Sequence, residues 1–157
     1  MATSALAKLR KPQLPKIVTD MPARVAHWAP PGGSMVISTP AEIDALVRKI
    51  PRGNLATVNT LREAVAKRHG TDIACPITTG IFANISMQAA AEEEALGIPE
   101  TAPWWRVIKS DGNLNPKAPG GIAEHKKRLA AEGFAFEAAG KTDWRVVGFE
   151  GKLAKLG

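Results

Sequence analysis

The sequence is poor in the side chains that most often carry chemistry. It holds one cysteine, Cys75, three histidines, His27, His69 and His125, no tyrosine, and only eight aromatic residues, four Trp and four Phe, in 157 positions. A single thiol excludes an internal disulfide framework and a cysteine-rich zinc site. With three scattered histidines and no cysteine cluster, neither a structural metal nor a cofactor is expected. No apolar run reaches the roughly 18 residues that a membrane span needs. The N-terminus has basic residues but no continuous apolar core of a secretory signal, so a cytoplasmic protein is expected.

What is present is unevenly charged. The net charge is +6, with Lys8, Arg10, Lys11, Lys16 and Arg24 facing a single Asp20 in residues 1–35, against 16 basic and 14 acidic residues in the rest. Residues 1–34 also carry Pro12, Pro15, Pro22, Pro30 and Pro31 and no helical or alternating apolar period. Such a stretch offers little surface to offset its ordering entropy. Residues 1–35 therefore read as a flexible, basic, Pro-rich arm, with the His27-Trp28 pair as a point that could dock, and residues 36–157 as one domain. A basic arm suits a polyanion through counterion release, and a solubilising tail is the plainer alternative.

The domain opens on helices. Thr39-Pro40-Ala41-Glu42 matches a capping box with Pro at the first helical position, and Ile43, Leu46, Val47 and Ile50 form an apolar stripe that ends at Pro51-Arg52-Gly53. Residues Leu55 to Val58 read as a short extended entry, and Thr60-Leu61-Arg62-Glu63 as the cap of a second helix closed by Arg68-His69-Gly70. His69 reads as a cap neighbour, not a base. Pro76 starts a third helix of about 20 residues, in which Ile77, Ile81, Ile85 and Ala89, widened by Phe82, are expected inside and Thr78, Thr79, Asn84 and Gln88 outside. Two helices joined by a short turn read as a helix-turn-helix. Cys75, at the start of the third helix without a basic neighbour, reads as a small capping residue in preference to a nucleophile. The run Glu92-Glu93-Glu94 reads as a solvated face.

The most unusual stretch is Pro103-Trp104-Trp105-Arg106-Val107-Ile108-Lys109-Ser110-Asp111-Gly112, followed by Pro119-Gly120-Gly121 and a basic helix through Lys126, Lys127 and Arg128. Pro103 makes a rigid entry. On a strand after it, Trp104 and Trp105 would face opposite sides, one in the core and one lining a cavity. Ser110-Asp111-Gly112 reads as the turn that ends that strand. Phe134 to Ala138 and Trp144 to Phe149, around Gly140-Lys141-Thr142-Asp143, read as a β-hairpin.

This arrangement resembles the active-site region of the O6-alkylguanine-DNA alkyltransferases, which carry Pro-Cys-His-Arg-Val, a turn, and a Gly-Gly pair opening a helix that ends in Glu-Gly. Pro103, Arg106, Val107, Gly120, Gly121, Glu132 and Gly133 stand at matching places, and the likeness runs from about Val36 to Gly133. The acceptor Cys is replaced by Trp104 and the activating His by Trp105. Trp at the Cys position marks the alkyltransferase-like branch, whose members bind DNA without transferring the alkyl group; the loss of the His departs from that branch as well. The resemblance implies a mainly α fold with a small β-hairpin, a winged helix-turn-helix of the alkyltransferase C-terminal-domain type, acting as a monomer on double-stranded DNA through the minor groove. It implies a lesion pocket at Pro103, Trp104, Trp105, Arg106, Val107, Ser110 and Glu132. DNA contacts are expected at Thr57, Asn59, Thr78, Thr79, Asn84, Lys109, Lys117, Lys126, Arg128 and Lys141.

Two further departures bear on the implied mechanism. The family's Arg that fills the gap left by a flipped nucleotide has no counterpart between Thr71 and Gln88, and its nucleotide-turning Tyr is Val58. An indole at Trp104 has no nucleophilic atom, so alkyl transfer at this site is expected to be absent. The functional expectation is a non-catalytic DNA-binding protein that recognises O6-alkylguanine or another base lesion and flags it to a repair partner. The alternatives are a general winged-helix DNA-binding or regulatory protein with a plugged pocket, and a protein-interaction module that has lost DNA binding.

Overall fold

The computed structural model describes residues 4–27 and 29–156. Helix α1 (Ala5–Arg10) is capped by Ser4, whose Oγ accepts the Ala7 N–H at 3.1 Å, and it packs on a distant helix through buried Leu6. The Leu6 N–H donates to Glu92 Oε2 at 3.0 Å. Strand β1 (Lys16–Val18) runs antiparallel to β2 (Met35–Ile37), with Val18 opposite Met35. Met21 and Ala29 between them are buried in a cluster with Met35 and Cys75.

The described part of residues 1–35 is therefore part of the fold and not a separate flexible arm. The sequence hides this because Leu6, Val18, Met21 and Ala29 follow no period of their own. Each fits a surface that the rest of the chain already offers. Trp28, half of the expected docking pair, lies outside the described residues.

Helix α2 (Pro40–Val47) begins as its sequence predicts. Thr39 accepts the Glu42 N–H at 3.1 Å, and Ile43, Leu46, Val47 and Ile50 are buried. The next helix, α3 (Val58–His69), starts three residues earlier than expected, after the two-residue strand β3 (Ala56–Thr57). Thr57 and Thr60 form the capping box, each side chain taking the other's backbone N–H, because a hydroxyl at both ends can satisfy two orphan donors without a carboxylate. Gly70, at φ 67°, closes the helix in the left-handed conformation that glycine tolerates.

Strand β4 (Ile73–Ala74) adds parallel to β2, completing the order β1-β2-β4, and leads directly into α4 (Pro76–Ala95). Cys75 is the buried N-cap of α4 and makes no side-chain cap hydrogen bond. The α3, turn and α4 sequence is the helix-turn-helix.

The Trp pair is not on a strand. Trp104–Arg106 is a 3-10 turn, and only Val107–Ile108 is extended, as β5 parallel to β3. Helix α5 (Gly121–Ala130) follows, then the hairpin of β6 (Phe136–Ala138) and β7 (Trp144–Val146), with Phe136 opposite Val146 and Ala138 opposite Trp144. The architecture is mainly helical with three small sheets, and the hairpin sits at the wing position. Among the described residues no helix is long and apolar enough to cross a membrane.

The Glu92-Glu93-Glu94 run is not a solvated face. Glu92 holds α1, buried Glu93 approaches Arg48 at 3.7 Å, and Glu94 binds Arg128, so all three link α4 to its neighbours.

Candidate nucleic-acid interface

Trp104 is 1 % exposed and sits in the main core cluster with Val47, Ala90 and Met87. Its ring meets Trp105 edge to face, centroids 5.9 Å apart, and lies 5.5 Å from His125. Its indole N–H has no hydrogen-bond partner among the described residues.

Trp105 is half-buried and donates its indole N–H to Glu132. Arg106 donates Nε to both Glu132 oxygens at 3.1 Å and a terminal nitrogen to the Ile50 carbonyl at 2.7 Å, and Gly53 donates its N–H to Glu132 at 3.0 Å. Burial alone would raise the Glu132 carboxyl; the indole N–H, the Gly53 N–H and the Arg106 guanidinium more than offset it and hold the group below the usual carboxylate range. Glu132 thus ties the Trp turn to the end of α2's loop. Trp105 N–H is a donor only, so this contact positions a ring and cannot take a proton.

His125 was read in the sequence only as one of three scattered histidines. It is fully buried on α5, its Nδ1 accepts the Asn115 N–H at 3.3 Å, and its Nε2 lies 2.8 Å from the Trp105 carbonyl oxygen. That pairing fixes the neutral tautomer with the proton on Nε2. Its place one turn on from Ile122 and one turn before Leu129, both packed in the second core cluster, was the available sign.

Burial pushes the His125 pKa down from 6.5 to about 4, against the pull of the Trp105 carbonyl. The folded form resists a proton that the unfolded chain accepts, so stability falls as pH drops through 6.5 and the loss is complete below about 4. About 2.5 pKa units correspond to roughly 3 kcal/mol. Denaturant midpoints measured from pH 7.5 down to 4.5 should decline in this window. In His125→Gln the decline should be shallower.

A cavity of about 60 Å³ lies against Trp104, lined by Val58 at the start of α3, Gly80, Ala83 and Asn84 on α4, Val107 on β5, and Lys109 and Asn115 of the following loop. The Asn84 Oδ1 is buried without a hydrogen-bond partner among the described residues. An engineered cavity that takes benzene measures about 150 Å³, so this space is too small for a purine. The loop is held against α4 by Gln88, which donates to the Lys117 carbonyl at 2.9 Å. It turns at Gly112, where φ is 86° and a side chain would collide with the Phe149 ring at 2.3 Å.

Of the expected lesion-pocket residues, Trp104 and Val107 line this cavity. Pro103, Trp105 and Arg106 line a separate open cleft with Arg48, Glu94 and Arg128. Ser110 is exposed in the turn beyond the cavity mouth, and Glu132 lies under Trp105.

The expected DNA contacts divide similarly. Asn59, Lys109, Lys117 and Lys141 are exposed, and half-buried Asn84 lines the cavity. Thr57, 3 % exposed, is engaged in capping α3, and Thr79, 1 % exposed, donates to the Cys75 carbonyl at 2.7 Å. Neither is presented to a ligand. The Thr78 hydroxyl oxygen is also buried, with no hydrogen-bond partner among the described residues.

Arg128 faces inward. It makes a two-pronged pair with Glu94, both contacts at 2.7 Å, and reaches Glu124 at 3.1 Å, with its guanidinium carbon 4.9 Å from the Trp104 ring centroid. These partners outweigh desolvation and raise its pKa, while Arg128 draws Glu94 down, helped by the Trp104 indole N–H, which points its positive end toward the carboxylate without completing a hydrogen bond, and by Thr101. Lys126 places its ammonium 3.6 Å from the Trp144 ring centroid, a cation-π contact that fastens α5 to the wing. Within the expected basic band only Lys127 is fully exposed.

Helix α4 keeps only part of its expected apolar stripe inside, with Ala89 buried and Phe82 packed on the core. Its buried side is Thr79, Ser86, Met87, Ala89, Ala90 and Glu93, whereas Ile77 and Ile81 are 57 % and 52 % exposed. Ser86 donates to Asp44 at 2.7 Å, so small and polar residues let α4 approach α2 closely.

Comparison with known proteins agrees with this geometry. The family description "6-O-methylguanine DNA methyltransferase, DNA binding domain" matches residues 40–134. Two solved structures share the fold at 20 % sequence identity, each covering 74 % of this chain and 94 % of its own: S. pombe Atl1 in complex with damaged DNA containing O6-carboxymethylguanine, TM-score 0.52, and S. pombe ATL in complex with DNA, TM-score 0.54. A search of the curated proteins finds no match. The match over residues 40–134, together with the helix-turn-helix, the Trp turn and the Gly-Gly helix, shows that this chain belongs to the 6-O-methylguanine DNA methyltransferase family through its DNA-binding domain.

Proposed function

We propose that the protein is a non-catalytic, alkyltransferase-like DNA-binding protein that holds duplex DNA on the α3–α4 face, recognises O6-alkylguanine or a related lesion, and flags it to a repair partner. The single observation that carries the non-catalytic part is the buried indole of Trp104: by the resemblance of Pro103-Trp104-Trp105-Arg106 to the family's Pro-Cys-His-Arg it takes the place of the acceptor thiol, and it has no atom to attack a carbon. Support for the DNA-binding part comes from the shared fold of the two S. pombe proteins, both solved on DNA. The exposed Asn59, Lys109 and Lys117 beside α4 supply the polar and cationic edge that phosphates need. A monomer in the cytoplasm, associated with the nucleoid, fits this role.

A second reading is favoured by the cavity. At about 60 Å³ it admits no base as it stands, so lesion entry requires the loop at Lys109–Lys117 to part from α4, a movement opposed by the Gln88 hydrogen bond. If that loop stays shut, the protein is a general winged-helix DNA binder with a filled pocket.

Titrating a duplex that holds one O6-methylguanine and its unmodified twin over a salt series separates the readings. The proposal predicts tighter binding to the lesion duplex, with log affinity falling on log salt by about 0.9 for each phosphate contact. Equal affinity at every salt selects the filled-pocket reading. Absence of salt-sensitive binding to either duplex removes both and favours a protein-interaction module.

A further inference from the structure

The first half of α4 has an unusual surface. Residues 73–91 include no charged side chain. Ile77 and Ile81, one turn apart, both stand more than half exposed, and neither packs in a buried cluster. Single exposed isoleucines are ordinary. Among the described residues no other secondary-structure element carries two large exposed hydrophobics, since Ile17, Leu96, Leu14 and Val147 are scattered along the chain.

Cations border this stripe on both sides. Arg62 is held at the start of α4 by its Nε donating to the Ala74 carbonyl at 3.0 Å. On the opposite border, Lys109 lines the cavity with Gly80 and Asn84, and the Lys117 backbone is fastened to α4 by Gln88. Glu63 and Asp72 share the cleft that Arg62 lines, on the α3 side of the ridge; Asp72 accepts the Ser34 N–H at 2.8 Å, and on the other side Asp111 accepts the Asn113 N–H at 3.0 Å. A neutral apolar ridge with cationic shoulders complements a groove with anionic walls. Proteins that enter the minor groove use isoleucine and similar side chains to part stacked bases.

Resting on the DNA-binding reading above, we propose that Ile77 and Ile81 form an apolar wedge that enters the minor groove and unstacks one base step, with Arg62, Lys109 and Lys117 on the flanking phosphates. The wedge favours pyrimidine–purine steps, which unstack most easily. It replaces recognition by a charged finger, for which this half of α4 has no residue, with recognition by deformability.

The test uses the full chain and a duplex with a fluorescent adenine analogue at a central TA step, comparing wild type with the I77A/I81A double variant. Both positions are surface ones, and an unchanged unfolding midpoint confirms that the variant folds. Binding is followed by anisotropy and unstacking by analogue fluorescence. The wild type should raise the fluorescence several-fold, and the double variant should bind roughly tenfold more weakly and leave it at the free-duplex value.

Wild-type binding with no fluorescence rise, or the same rise with the double variant, overturns the wedge while leaving DNA binding intact. Absence of any wild-type binding removes the DNA reading and the wedge together. Sedimentation of the wild type as a dimer that I77A/I81A abolishes assigns the face to a second copy and also overturns the proposal.

Discussion

Trp104→Ala should lower the folding free energy by about 3–5 kcal/mol, the range for removing a large aromatic from a packed core. The indole is 1 % exposed, touches Trp105 and His125, and lies under the Arg128 guanidinium, so its loss unpacks α4, α5 and the Trp turn together. Globular proteins are stable by only about 5–15 kcal/mol; a thermal midpoint lower by roughly 10 °C or more is the expected result. Trp104→Phe should be milder, within about 2 kcal/mol, because lost volume is partly offset by removing an indole N–H that completes no hydrogen bond among the described residues. Near wild-type stability for Trp104→Ala would mean that the indole does not fill the site.

Glu132→Ala should cost about as much, roughly 3–5 kcal/mol, by leaving a mostly buried guanidinium without its carboxylate. The network distinguishes two sources of that loss. If Glu132 served Arg106 alone, the double substitution Arg106→Met with Glu132→Leu would recover most of it, since an apolar pair often replaces a buried ion pair without penalty. Glu132 also accepts from the Trp105 indole and the Gly53 amide, and each stranded donor costs about 1–3 kcal/mol. Recovery should therefore be partial, and chemical denaturation of the four members of the cycle measures it.

The contrast between α2 and α4 explains what could be read from the sequence. In α2 the Thr39 cap, the proline and the buried apolar stripe agree with the sequence, although the helix stops at Val47 and the Glu42 carboxylate turns to Ser38 and His69 instead of closing the capping box. In α4 the apolar period holds at Phe82 and Ala89, but Ile77 and Ile81 stand exposed while Ser86 and Glu93 are buried with partners in Asp44 and Arg48. Periodicity counts apolar residues and has no access to such partners. The same limit hid the N-terminal strand, whose pairing with Met35–Ile37 is non-local, and misplaced Arg128, whose carboxylate Glu94 is 34 positions away.

The candidate site was legible where identity alone decides chemistry. That neither Trp104 nor Trp105 carries a nucleophilic or basic atom could be interpreted without coordinates. The size of the cavity beside Trp104 and the neutral, buried state of His125 could not, since both depend on how α4, α5 and the loop at Lys109–Lys117 close on one another.

The account depends on an indole standing where the family keeps its acceptor sulfur, in a protein that grips DNA without taking anything from it. Intact-protein mass spectrometry after prolonged incubation with a duplex containing O6-methylguanine tests this most directly. An unchanged protein mass, with the methyl group still on the recovered DNA, is the predicted result. A protein heavier by one transferred methyl group, on Cys75 or any other side chain, would contradict it.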